Sequence, residues 1–152
     1  MVKNARLILV TVLIFSLDRI LKTLVVRTYS EGQGFPVLAG IFHITRVNNT
    51  GAAFGVLKGS GNFLLYVSFS LVIALAVYLF LNGRRALIPW TGALVLAGAL
   101  GNLYDRIRFG YVIDFLDFRV WPVFNVADAS ICLGVSFAVF TLLKTKKPSK
   151  GN

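Results

Sequence analysis

Residues 63 to 81 read FLLYVSFSLVIALAVYLFL, nineteen positions without one charge. A helix needs about 20 largely apolar residues to cross a bilayer core of roughly 30 Å. Three further runs approach that length. Leu7 to Val26 is interrupted by Asp18, Arg19 and Lys22. Ala86 to Tyr104 is uncharged, with Pro89 near its start, where a missing N–H does little harm. Val126 to Leu143 carries no charge after Asp128. The expected fold is therefore an all-α membrane protein with four transmembrane helices, at about 7–26, 63–81, 86–104 and 126–143. Residues 1–152 form one integral membrane domain on this reading. Composition agrees: 57% of residues are hydrophobic and 14% charged, against roughly 25% charged in a soluble domain.

The net charge is +10, and its placement gives a direction. Lys3 and Arg6 precede the first run, Arg84 and Arg85 separate the second from the third, and Lys144, Lys146, Lys147 and Lys150 end the chain. Four spans put all of them on one side, which the positive-inside rule makes cytoplasmic. Both termini are expected there, with residues 144–152 as a disordered basic tail. The charge thus reads as a topology signal and a hold on anionic lipid, not as a nucleic-acid surface. The start resembles a secretory signal, but Ser16-Leu17-Asp18-Arg19 brings charge where a cleavage site should stand. The first span is expected to be retained. One cysteine, Cys132, and one histidine, His43, leave no material for a disulfide framework or a Cys- or His-built metal site. No metal and no other cofactor is expected.

The six acids gather towards the other face. They are Asp18, Glu31, Asp105, Asp114, Asp117 and Asp128. Residues 27 to 61 are too long for a simple turn. Phe42 and Ile44 alternate with His43 and Thr45 there, which predicts a short strand with one wet face. NNTGAAFG follows, either as a hairpin turn resting on the membrane surface or as a functional loop, with Gly51 and Gly55 permitting tight backbone. Span three contains Ala93, Ala97 and Gly101 every four residues, a ladder for close helix contact. Asn102, Asp105 and Arg106 follow at i, i+3 and i+4, one face if the helix continues.

Asp18 has Lys22 at i+4, in the favourable order for a structural ion pair. Asp114 and Asp117 lie three apart in YVIDFLDF, so an extended chain points them to opposite faces. Asp117, followed by Arg119, reads as a surface carboxylate. Asp114, between Ile113 and Phe115, reads as partly desolvated. Asp128 opens span four with Asn125 three residues before it. One account makes Asn125 an N-cap and Asp128 the acid at the third helical position. The other makes Asp128 functional, as intramembrane acids usually are. Two carboxylates in one half-dry site share a proton, because like charges close together resist joint ionisation. Such a pair can activate water and protonate a carbonyl, hydrolysing an amide without Ser, Cys or metal.

Three other classes compete. A transporter would need a polar route through the membrane, and span two offers none. A structural protein leaves Asn102, Asp114, Asn125 and Asp128 without purpose. A Ser–Lys peptidase would need a serine evidently paired with Lys22 or Lys58, and none stands out.

NNTGAAFG, GALGNLYDR, YVIDF and WPVFNVADA, in that order between four spans, resemble the bacterial lipoprotein signal peptidases (signal peptidase II) over nearly the whole chain. The resemblance implies an aspartic endopeptidase of the bacterial inner membrane, its site near the periplasmic face beside a β platform over about 35–57. It implies removal of signal peptides from diacylglyceryl-modified prolipoproteins by cleavage before the lipidated cysteine. Asp114 and Asp128 match the catalytic positions. Asp18, Asn49, Gly51, Asn102, Asp105, Arg106 and Asn125 match polar positions that line or brace the substrate site. Partners would be prolipoprotein and membrane lipid, with the chain a monomer. Tyr104 and Ala129 depart from the commoner aliphatic residue and Ser, and neither removes a proton donor or acceptor from the pair.

Overall fold

The computed structural model describes residues 2–51, 61–82 and 89–145. Four helices and three strands run in the order α1 (Val2–Thr28), β1 (Gly34–Leu38), β2 (Phe42–Asn49), α2 (Gly61–Asn82), α3 (Pro89–Phe109), β3 (Val112–Asp117) and α4 (Val126–Thr145). The four apolar runs thus fold as the four helices. Arg84 and Arg85, the first residues of the third expected span, platform residues 52–57 and most of the basic tail lie outside the described residues.

Helix α3 is the hub and packs against α1, α2 and α4. Its small residues allow this. Ala93 and Ala97 are fully buried, and a Cβ on Gly98 would stand 2.2 Å from the Ala127 carbonyl oxygen of α4. The helix continues past Tyr104, so Asn102, Asp105 and Arg106 do share its last turns. It stops at Gly110, whose N–H bonds the Arg106 carbonyl with φ of +80°. That left-handed conformation suits glycine and turns the chain sharply out of the helix. The Ile113 N–H then reaches back to the Asp105 carboxylate at 3.2 Å, stitching the start of β3 to the end of α3.

The sheet has the order β1-β2-β3, antiparallel throughout. The third strand adds to the expected platform, and it carries Asp114. A bulge between Ile44 and Val47 resets the register, so that His43 faces Asp117 while Val47 faces Asp114. Strand β2 was expected to have one wet face. Instead every residue in it is half-buried, because it is the middle strand between an exposed β1 and a buried β3.

The distribution of polarity is inverted relative to a soluble protein. The largest fully buried side chains include Lys22, Asn125, Asp18, Asp105 and Asp114. Leu, Ile, Val and Phe side chains on α1, α2 and α4 point outward, Phe80 at 89% exposure and Leu81 at 72%. Such a continuous apolar exterior suits lipid and not water. Among the described residues two helices, over Asn62–Leu81 and Val126–Lys144, are long and apolar enough to cross a membrane.

Candidate active site

The site forms where the sheet meets the ends of α3 and α4. It is a cavity of about 930 Å³ whose wall includes Asn49, Gly51, Asn102, Arg106, Asp114 and Asp128. Val47, Val112, Trp121, Phe124 and Ile131 give the same cavity a largely apolar lining.

Asp114 comes from β3. Asn49 is its diagonal neighbour across the strand pair and donates from Nδ2 to Asp114 Oδ2 at 2.9 Å. Asn125 donates from Nδ2 to Asp114 Oδ1 at 2.7 Å. The side chain is 2% exposed. Burial, and then the nearby charge of Asp128, push its carboxyl up to about 7, against the opposing pull of the Asn49 and Asn125 amides.

Asp128 comes from the first turn of α4. Its N–H bonds Asn125 Oδ1 at 2.9 Å, and the Asn125 N–H returns a bond to Asp128 Oδ2 at 3.3 Å. This reciprocal pair is a capping box. The capping and functional accounts of Asp128 are therefore compatible: the cap occupies Oδ2 and leaves Oδ1 to the Asn102 amide, at 2.7 Å. Asn125 touches both acids at once. In these contacts every carboxylate oxygen of Asp114 and Asp128 accepts from one N–H, so the two acids sit in a shell of donors.

Behind them lies a buried ionic cluster. The Lys22 ammonium, 0% exposed, stands 3.0 Å from Asp18 Oδ2 and 2.7 Å from Asp105 Oδ2. It also donates to Asn102 Oδ1 at 3.1 Å. Asp18 Oδ1 accepts the Ala127 N–H at 3.1 Å, satisfying an amide of the α4 N-terminus that no helical partner reaches. Arg19 pairs with the other oxygen of Asp105 and lies over the Tyr104 ring, 4.6 Å from its centroid. Tyr104 thus has a cation to hold.

The expected site residues therefore divide. Asn49, Gly51, Asn102, Arg106, Asp114 and Asp128 meet at the cavity, while Asp18, Asp105 and Asn125 brace its wall from behind. The Asp18–Lys22 pair is present. The sequence pairs Lys22 with Asp18, yet it joins three side chains, those of Asp18, Asp105 and Asn102. A lysine inside an apolar run was the signal for this wider role. Asp117 was expected at the surface and is instead 5% exposed. Thr45 and Arg119 donate to it at 2.9 and 3.0 Å, because pairing with His43 turns it onto the sheet. It shares no partner with Asp114. Asp117→Asn should leave turnover of folded protein unchanged and cost about 1–3 kcal/mol, because the new NH₂ faces a donor on either side, readable from paired activity and unfolding measurements.

A solved bacterial membrane enzyme superimposes with a TM-score of 0.85 at 33% identity, covering 97% of this chain and 95% of its own. A second gives 0.81 at 34%, covering 92% and 94%. The chain thus has the architecture of a membrane enzyme. Residues 10–144 match the family described as signal peptidase (SPase) II. The lipoprotein signal peptidase of Moorella thermoacetica is 42% identical over 137 residues, 90% of this chain and 91% of that one. That of Halothermothrix orenii is 37% identical over 139 residues, 91% and 96%. The chain belongs to the signal peptidase II family, and it is a peptidase.

Proposed function

We propose that this chain is an intramembrane aspartic endopeptidase that cleaves diacylglyceryl prolipoproteins before the lipidated cysteine. The observation that carries the reading is the joint hold of Asn125 on Asp114 and Asp128 beside one cavity. The ionised acid takes a proton from a water, whose oxygen attacks the scissile carbonyl carbon. The protonated acid donates to the carbonyl oxygen. The first acid then gives that proton to the leaving nitrogen as the C–N bond breaks, while the second acid recovers a proton from a hydroxyl of the collapsing tetrahedral intermediate, which restores the pair. No cofactor enters the cycle.

The surroundings fit such a substrate. The apolar lining suits a signal helix and acyl chains, and the acids lie at one end of the helical bundle, where a lipidated cysteine presents its peptide bond. On this reading the four helices span the bacterial inner membrane with both termini cytoplasmic. The sheet lies at the periplasmic face as a platform, and the whole chain is one domain acting as a monomer.

The deciding experiment incubates purified protein in lipid with a prolipoprotein, with or without its diacylglyceryl group. The lipidated form should yield a product beginning at the modified cysteine. Equal cleavage of both forms, or of neither, would overturn the reading.

The pH profile gives a second check. Activity requires one proton on the pair, so it rises as the first carboxyl ionises and falls as the second loses its proton. The alkaline limb should lie near the value of about 7 at Asp114. Asn49 stabilises the charged form of Asp114, so Asn49→Ala should move that limb to higher pH. A limb that stays in place would exclude Asp114 as the late-titrating group.

A further inference from the structure

We propose that Lys22 is a positioning residue for this reaction, one that acts through the side-chain amide of Asn102. The inference rests on the reading of Asp114 and Asp128 as a catalytic pair.

An asparagine amide can face its neighbours in two ways, and its partners decide which. The Lys22 ammonium can only donate, and it lies 3.1 Å from Asn102 Oδ1. The oxygen of Asn102 is therefore held towards Lys22, and the Nδ2 hydrogens must face Asp128, which Nδ2 meets at 2.7 Å. The Asn125 amide also donates to Asn102 Oδ1, at 3.2 Å, and so favours the same orientation. The other two asparagines obey the same logic. The Asp128 N–H holds Asn125 Oδ1 at 2.9 Å, and the Gly51 N–H holds Asn49 Oδ1 at 2.9 Å. Each amide then turns its NH₂ group towards an acid.

Lys22 differs from the two backbone donors because it is a replaceable side chain. It is 0% exposed and is not on the cavity wall, so it reaches the substrate only through other groups: the Asn102 amide, and Asp114, whose carboxyl its charge pulls down. Asp18 and Asp105 fix the ammonium from the other side. Without Lys22 only the longer Asn125 contact, at 3.2 Å, still holds that orientation, and the Asn102 amide turns more easily. It can then present its oxygen to Asp128, where two acceptors would oppose each other.

The test is steady-state cleavage by Lys22→Met, normalised to folded protein. The variant retains a donor for each buried acid, Ala127 N–H for Asp18 and Arg19 for Asp105. We expect kcat to fall about 10²-fold, the scale of a misplaced reacting group, with KM nearly constant. Paired with Asn102→Ala, the losses should fail to multiply, since both substitutions break one relay. A lysine that serves only structure predicts lower folded yield with normal kcat, and losses that multiply; either result overturns the proposal.

Asn102→Asp keeps a strong partner for Lys22 yet sets an acceptor against Asp128, and so provides a test should Lys22→Met not fold. Its kcat should be low at neutral pH and recover as pH falls, when the new carboxyl regains a proton to donate. Undiminished turnover at neutral pH overturns the relay. Loss of this inference alone is recognisable, because Asp114→Asn and Asp128→Asn would remain inactive while Lys22→Met turned over normally. Activity in both aspartate variants would instead remove the pair itself.

Discussion

Asp114→Asn and Asp128→Asn should each lower kcat for prolipoprotein cleavage by at least about 10³-fold, within the range for losing an acid–base catalyst. An amide neither takes a proton from water nor gives one to a carbonyl. The double variant should be no slower than either single one, because the two acids act as a unit. Each substitution also sets a new NH₂ group against an existing donor. At position 128 the oxygen can still serve the Asn125 cap, but the new NH₂ then meets the Asn102 amide. That mismatch costs about 1–3 kcal/mol, so rates must be referred to folded protein. Full activity of either variant would remove the acid pair from the mechanism.

The second large effect concerns packing. Gly98→Ala should destabilise the protein by at least about 1–3 kcal/mol, the usual cost of overfilling a close contact. The added methyl would meet the Ala127 carbonyl oxygen at 2.2 Å and Ile131 Cγ1 at 2.7 Å. A backbone oxygen cannot rotate away, so α3 and α4 must separate. Asp128 adjoins Ala127 and moves with it, while Asn102 stays on α3. Turnover should therefore fall along with unfolding temperature. A variant with wild-type melting and activity would show that the helices can spread at no cost.

These two contacts differ in how far the residues announced them. The apolar runs foretold the helices because length and lack of charge are read within one segment and need no long-range information. Asp114 stood out by its apolar neighbours, and Asn102 by lying a turn inside such a run. The junction of Asp114 and Asp128 followed from the resemblance of four ordered motifs and from the known chemistry of paired acids, not from local pattern. Three things escaped. The pairing of β3 with β2 depends on a bulge near Thr45, and register is a relation between segments. The burial of Asp117 depends on that same register. The reach of Lys22 to Asn102 and Asp105 crosses from α1 to α3, some eighty residues away in sequence. Lys22 could be paired from sequence only with Asp18, one helical turn before it.

One acid rides on a strand and the other on a helix. Their spacing is thus a property of how firmly the sheet is seated on the bundle, and productive geometry tolerates only about 0.5 Å of slack. The seat is made by Asn125 against Ile113 and Asp114, and by Phe124 against Leu116. If the two acids act as a pair, a compound wedged into that seam would idle the enzyme by parting the blades of the scissors instead of filling the jaws.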